Sequence, residues 1–120
     1  MDARVKATIG WMQRSLASQL SMIALSNSVN LSPARLRQLF KKDTGRSPME
    51  YLRDLRMQRA QELLRSTFLS VKEIAFHCGM NDISHFVRDF KVRHGLTPST
   101  FRSRSDQSLR SRGRRDRTCE

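Results

Sequence analysis

Residues 71–102 read VKEIAFHCGMNDISHFVRDFKVRHGLTPSTFR, and this stretch decides the fold. Ile74 and Cys78 are four positions apart, which places them on one side of a short helix. The letters GMND then turn the chain, and Phe86 and Phe90 form the apolar side of a longer helix that stops at a glycine. Two helices joined by a short turn form the helix-turn-helix pattern.

The same pattern occurs earlier in the chain, in residues 21–51. A shift of 49 positions aligns Leu25 with Ile74, and a shift of 50 aligns Phe40 with Phe90. The offset changes by one residue inside the turn, where an insertion costs least. A single helix pair is a weak signal because such pairs are common, whereas two copies in one register are specific. The sequence therefore predicts two helix-turn-helix units in tandem.

Helical spacing of apolar residues continues outside the two units. Val5, Ile9 and Met12 predict a first helix over residues 3–18, and the pattern over 48–66 predicts a long connecting helix. At 1.5 Å per residue, the connecting helix is about 28 Å long. We therefore expect an all-α fold of about seven helices within residues 1–103. The expected divisions are subdomain one over 3–47, the connecting helix over 48–66, subdomain two over 67–103, and an Arg- and Ser-rich tail over 104–120 that is expected to be disordered.

Charge is the strongest signal in the composition. The 120 residues contain 23 Lys and Arg against 11 Asp and Glu, which gives a formal net charge of +12 and a pI near 11.3. Such a surplus is typical of nucleic-acid-binding proteins, because bound cations release counterions from phosphates. No apolar run is long enough to span a bilayer, and the N-terminus lacks a secretory signal, so the expected location is the cytoplasm.

The second helix of each unit is the one expected to read DNA, because an α-helix fits the major groove. Opposite the apolar side, each copy leaves a face of mostly polar residues. Arginine can pair with guanine and glutamine with adenine through two hydrogen bonds, and an aliphatic side chain can touch a thymine methyl. The predicted base-reading residues are Ala34, Arg35, Arg37 and Gln38 in the first copy, and Ile83, Ser84, His85, Val87 and Arg88 in the second.

Contacts to phosphates are expected from helix starts and from nearby cations. Hydroxyl and amide side chains at helix starts also cap backbone N–H groups, so capping is the alternative role for them. The predicted phosphate-contacting residues are Ser32, Lys41, Lys42, Arg46, Ser47, Asn81, Lys91, Thr97 and Arg102. For any one of these polar residues, the simpler interpretation is the solvated side of an amphipathic helix.

Other classes of function receive less support from the residues. His77, His85 and His94 occur near Cys78, but no triad, paired carboxylates or phosphate loop accompanies them, so we expect no catalysis, metal or cofactor. Binding of single-stranded RNA usually needs exposed aromatic residues, and the phenylalanines here occupy core positions. A helical adaptor for an acidic protein remains a third interpretation. The second cysteine, Cys119, forms no disulfide or metal pattern with the first.

Residues from about 20 to 102 resemble the DNA-binding domain of the AraC/XylS family of bacterial transcription regulators. The stretches that carry the resemblance are LSPARLRQLFKKDTGRSPMEYLRDLRMQRAQELL and the segment quoted at the outset. The resemblance implies seven helices, two helix-turn-helix units and a connecting helix. It also implies binding to double-stranded promoter DNA in the nucleoid. Activation through RNA polymerase is the usual outcome in the family, although the sequence leaves activation and repression open.

The chain departs from the family pattern in several places. Many members carry a further domain that senses a small molecule or dimerises, and 120 residues leave no room for one. We therefore expect a stand-alone small member or a fragment, with no small-molecule effector site in this chain. Met80 stands where an aromatic residue is usual, and Ala34 stands where a larger contact residue is frequent. The Arg-rich tail lies outside the pattern.

Overall fold

The structure, a computed structural model, describes residues 1–105 as an all-α chain without strands in that range. This confirms the predicted fold class. The last helix, α7, occupies residues 98–105 and reaches the limit of the described residues. The other helices are α1 (Ala3–Arg14), α2 (Met22–Ser28), α3 (Pro33–Thr44), α4 (Pro48–Ser66), α5 (Val71–His77) and α6 (Ile83–His94).

Short-range signals set the ends of most helices. Four helices begin with a serine whose Oγ accepts a hydrogen bond from the backbone N–H three residues later: Ser21, Ser32, Ser47 and Ser70. The two predicted reading helices, α3 and α6, end at Gly45 and Gly95, with φ of 79° and 77°. Glycine adopts this left-handed conformation without the steric penalty of a side chain. The second helix of each unit therefore ends in the same way, at a left-handed glycine.

The buried side chains form two separate clusters, one in each half of the chain. The first surrounds Leu25, Leu36 and Phe40, and the second surrounds Ile74, Phe86 and Phe90. Their remaining members are Val5, Met12, Leu20 and Leu52 in the first, and Met57, Ala60, Leu63, Leu64, Ala75 and Cys78 in the second.

The long helix α4 belongs to both clusters. Leu52, near its start, is buried in the first cluster, whereas Met57 and Leu64 are buried in the second. This helix has 19 residues, but within the described residues no helix is both long and apolar enough to cross a membrane. Because one rigid helix supplies both cores, it links the two helix-turn-helix units directly.

The first helix is shorter than the expected range of 3–18. It ends at Arg14, and Ser15 has a φ of −132° and a ψ of 36°. The carbonyl oxygens of Leu16 and Ser18 accept hydrogen bonds from the Arg56 guanidinium at 3.3 and 3.0 Å. The chain leaves the helix early because these carbonyls turn towards a distant arginine, which local periodicity does not reveal.

Positions 104 and 105, the first two of the tail that was expected to be disordered, are helical. Arg104 and Ser105 continue α7 because no glycine or proline interrupts the helix that begins after Thr97. Phe101, earlier in this helix, packs with its ring centroid 5.6 Å from that of Phe90 and anchors α7 to the second core. Residues 106–120, which include the second cysteine, lie outside the described residues.

Candidate nucleic-acid interface

The first predicted reading face lies on α3 and is exposed. Leu36 and Phe40 are completely buried, so the helix has a fixed inner side. The Arg35 guanidinium donates a hydrogen bond of 3.4 Å to Oε1 of Gln38, one turn along the same face. The base-reading candidates of this helix are all exposed: Ala34, Arg35, Arg37 and Gln38.

The second predicted reading face lies on α6 and is narrower than expected. Ser84, His85 and Arg88 are exposed, and Ile83 at the first helical position has 37% of its surface exposed. Val87 is half-buried and packs against the second core. It lies three positions before the buried Phe90, so the helical repeat turns it partly inwards. Val87 therefore offers less surface to a ligand than its neighbours do.

Three of the phosphate candidates are lysines in the last turns of the reading helices. Lys41 and Lys42 lie in the last turn of α3, and Lys91 occupies the matching place in α6. All three are exposed. A cation near the C-terminus of a helix is favourable because it faces the negative end of the helix dipole. These exposed ammonium groups can therefore bind an external anion.

Two of the predicted phosphate contacts are engaged within the protein. Nε and Nη2 of Arg102 donate to the carbonyl oxygens of Leu64 and Thr67 at 3.2 and 3.4 Å. These carbonyls lie at the end of α4, where backbone acceptors lack partners within the helix. Arg46 forms an ion pair with Asp54, although 55% of its side chain stays exposed. Sequence reasoning could not detect either partner, because both depend on how distant helices meet.

The hydroxyl candidates act as helix caps. Oγ of Ser32 and Oγ of Ser47 each accept a backbone N–H at the start of α3 and α4. Oγ1 of Thr97 accepts from the backbone N–H of Thr100 at 3.3 Å and donates to its Oγ1 at 2.9 Å. The alternative capping role is thus present for all three.

Asn81 was predicted to contact a phosphate because it was expected at the start of α6. It does not begin that helix. Asp82 is the N-cap, and its Oδ1 accepts from the backbone N–H of His85 at 3.1 Å. A carboxylate is an effective acceptor there because the helix dipole favours negative charge at the N-terminus. The first copy has the neutral Ser32 at this place, so the two reading helices start with different charges.

The structure contains an ion-pair network that the sequence analysis missed. Asp54 in α4 pairs with Arg46 and with Arg93, and Arg93 also lies 3.5 Å from Asp89. Asp89 in turn lies 3.9 Å from Arg53. Only the spacing of four between Asp89 and Arg93 is visible as a helical pair in the sequence. Arg46, Asp54 and Arg93 of this network line a cleft of about 460 Å³ beside α4.

The histidines and the cysteine are dispersed in the structure. Nδ1 of His94 lies 3.0 Å from Nε2 of Gln61, and burial lowers the pKa of His94. His77 and His85 are exposed on other helices. Burial raises the pKa of the Cys78 thiol to about 11, which keeps it in the unreactive protonated form. Within residues 1–105, no three His, Cys, Asp or Glu side chains are grouped so that they could hold a metal ion.

The fold and its exposed faces define a class of domain, the all-α domains that carry two helix-turn-helix units joined by a long helix. Residues 25–104 match the helix-turn-helix domain family, so the chain belongs to that family and contains a DNA-binding domain of the AraC/XylS type. This confirms the resemblance found in the sequence.

One relative is the HTH-type transcriptional activator RhaS of Escherichia fergusonii. The two are 37% identical over 108 residues, which cover 90% of this chain and 39% of the relative. The chain therefore spans well under half the length of the curated relatives it matches. These relatives are transcription regulators.

Solved structures show the same fold. The C-terminal domain of AraT, a response regulator from Geobacillus stearothermophilus, superimposes with a TM-score of 0.82 at 29% identity, covering 85% of each chain. The DNA-binding domain of AdpA, a global transcriptional factor solved with a target DNA, gives a TM-score of 0.83 at 24% identity. That match covers 92% of this chain and 96% of the other.

Proposed function

We propose that this chain recognises specific sites in double-stranded promoter DNA by placing α3 and α6 in successive major grooves. The observation that carries the proposal is the repeated register of the two helices. At an offset of 50, the fully buried Leu36 and Phe40 correspond to the fully buried Phe86 and Phe90. Each helix thus has one side fixed in a core and leaves residues such as Arg37 and Arg88 exposed.

The connecting helix supports a reading of two grooves by one chain. Successive major-groove segments on one face of B-DNA lie about 34 Å apart. The 19 residues of α4 extend for about 28 Å, which is of the same order. Where the two distances differ, the DNA bends, at a cost of order 1–6 kcal/mol. The expected subdomains, residues 3–47 and 67–103, are the units that we propose to occupy the two grooves.

Electrostatics supports the same assignment. The chain carries a formal net charge of +12, and Lys41, Lys42 and Lys91 are exposed beside the two reading faces. These lysines are the strongest candidates for phosphate contacts. We assign smaller roles in phosphate binding to Arg46 and Arg102, because both are engaged with protein atoms.

We further propose that the chain is a transcriptional activator that contacts RNA polymerase in the cytoplasm, at the nucleoid. The support is the similarity to a relative whose name describes a transcriptional activator. Reporter transcription from a selected site, with and without the chain, tests this part of the proposal. A fall in transcription on adding the chain would assign repression instead.

Selection of binding sites from random duplexes tests DNA recognition, followed by affinity measurements on the selected site and on single-base variants. We expect Arg37→Ala and Arg88→Ala each to lose about 1–3 kcal/mol of discrimination at one base pair. The reason is that a guanidinium bonded to a base edge contributes to sequence preference as well as to affinity.

Arg59→Ala is the matched control. Arg59 is a half-exposed cation on α4, outside both reading helices, and it pairs with Glu62 of the same helix. We expect it to retain the parent's sequence preference. If Arg37→Ala and Arg88→Ala instead weaken binding to all duplexes equally, the two arginines bind phosphates and the base-reading assignment is wrong.

A further inference from the structure

We propose that Asp54 and Arg93 are positioning residues that set the separation of the two reading helices, so that the chain discriminates the spacing between its two DNA half-sites. This inference rests on the proposed function. Neither residue lies on a reading face. Asp54 is in the connecting helix α4, and Arg93 is in the last turn of α6.

Asp54 joins the two halves of the chain through opposite charges. One oxygen pairs with Arg46, which follows α3, and the other pairs with Arg93 of α6. Only 18% of the Asp54 side chain and 25% of the Arg93 side chain are exposed. Ion pairs at the surface contribute little because water screens them. Separating a pair that is withdrawn from water is costly, because it leaves an uncompensated charge. These contacts therefore restrain α6 relative to the end of α3.

Asp89 and Arg53 extend the restraint. Nε of Arg93 lies 3.5 Å from one oxygen of Asp89, and Nε of Arg53 lies 3.9 Å from the other. Nε of Arg93 and Oδ2 of Asp89 are buried and have no hydrogen bond within residues 1–105. Their charges are compensated by the ion pairs alone. Removal of one partner would leave an uncompensated charge in a poorly hydrated place.

A second contact between the halves lies on the other side of α4. Positions 54 and 56 point about 200° apart on a helix. The Arg56 guanidinium donates to Leu16 and Ser18, in the segment after α1. The turn between α5 and α6 also touches this segment, since a Cβ atom built on Gly79 would collide with the Leu16 carbonyl oxygen.

Contacts on two opposite sides of α4 prevent one half of the molecule from rotating about the helix while the other stays in place. Inserting one base pair between two half-sites moves them apart by about 3.4 Å and rotates them by about 35°. A chain held on both sides of α4 must distort itself or the DNA to follow that change. A chain freed on the side of Asp54 follows it more easily.

The experiment measures dissociation constants for duplexes that contain both selected half-sites at the selected spacing, or with one base pair inserted or deleted. A duplex with only one half-site is measured alongside. We expect the parent to lose about tenfold or more in affinity when the spacing changes. We call this loss of affinity the spacing penalty. For Arg93→Met and for Asp54→Asn we expect a spacing penalty of about threefold or less, with little change in affinity for the single half-site. Arg93→Lys keeps the positive charge, so it should retain most of the parent's spacing penalty.

Arg59→Met is the control, because it removes a cation from an ion pair that stays within α4. It should keep the parent's penalty. If Arg93→Met and Asp54→Asn both show the same spacing penalty as the parent, the inference is overturned. The proposed function would still hold in that case, provided that the parent binds the selected site specifically. If the parent binds one half-site as tightly as two, the proposed function itself fails. Thermal unfolding of each variant establishes that the folded chain is measured.

Discussion

At the scale of single residues, the most informative groups are the ionisable ones placed among apolar side chains. His94 has its ring centroid 4.4 Å from that of Phe90 and 6.5 Å from that of Phe101. Burial in this aromatic surrounding lowers the pKa of His94 below its ordinary value of 6.5. The backbone of Met57 opposes the shift, and the positive charge of Arg65 adds to it. The imidazole is therefore neutral in the folded state near neutral pH.

This lowered pKa predicts how stability depends on pH. The folded chain holds the proton of His94 less tightly than the unfolded chain does, so acidification favours unfolding. The contribution of the neutral His94 to stability should be fully present above pH 6.5. It should fall as the pH drops below that ordinary value and level off below the pKa of His94 in the folded chain. When the pH is lowered from about 7.5 to about 5, we expect the melting temperature of His94→Gln to fall less than that of the parent.

The control for this measurement is His77→Gln, because His77 is exposed on α5. It should keep the parent's dependence on pH. A His94→Gln protein whose melting temperature falls as steeply as the parent's would remove His94 as the source of the acid sensitivity. Both variants are compared by calorimetry at each pH, with the same buffer ionic strength.

At the scale of elements, the turns carry as much information as the helices. Gly45, Gly79 and Gly95 all have a positive φ, between 77° and 80°. A side chain added at Gly45 or Gly95 would meet open space, whereas one added at Gly79 would collide with the backbone of Leu16. The turn of the second unit is therefore specialised for contact with the first half of the chain.

This difference predicts unequal effects of the same substitution. Gly45→Ala and Gly95→Ala should each cost about 1–2 kcal/mol of unfolding free energy, the penalty of a left-handed alanine. Gly79→Ala should cost about 1–3 kcal/mol more, because it adds a clash that the backbone must relieve. Urea denaturation of the three variants measures the difference. Equal losses at all three positions would show that the turn and the segment after α1 are not in close contact.

At the scale of the whole molecule, one helix supplies two cores. Phe40 packs edge-on against Tyr51 at 5.3 Å between ring centroids in the first core. Phe90 packs against Phe86 and Phe101 at 6.0 and 5.6 Å in the second. Since α4 contributes to both cores, loss of either one removes support from the shared helix. We therefore expect the two halves to unfold in one cooperative transition.

Phe90→Ala tests this arrangement. Truncation of the completely buried ring opens a cavity and should lower the free energy of unfolding by about 3–5 kcal/mol. Val92→Ala on the same helix is the control, since 79% of Val92 is exposed and its loss should be nearly neutral. If Phe90→Ala retains the parent's stability, or if the two halves melt separately, the two cores are not coupled through α4 as described.

The sequence by itself determined the helices, their duplication and the outward faces of α3 and α6. Apolar residues at helical spacing, serine caps and glycine stops act over a few residues, so they can be recognised without a structure. The AraC/XylS resemblance added the expected role of the two units in binding DNA. Two departures concern helix ends: α1 stops four residues early, and Asp82 instead of Asn81 is the N-cap of α6.

Only the tertiary structure decided which polar side chains are exposed and which bind other parts of the protein. Arg102 caps the end of α4, and Arg46 and Arg93 share Asp54. The partners of Arg102 are 35 and 38 residues away, and those of Arg56 are 38 and 40 residues away. Such pairs form only once the helices have packed at a particular angle, because a charge selects its partner by distance in space and not along the chain.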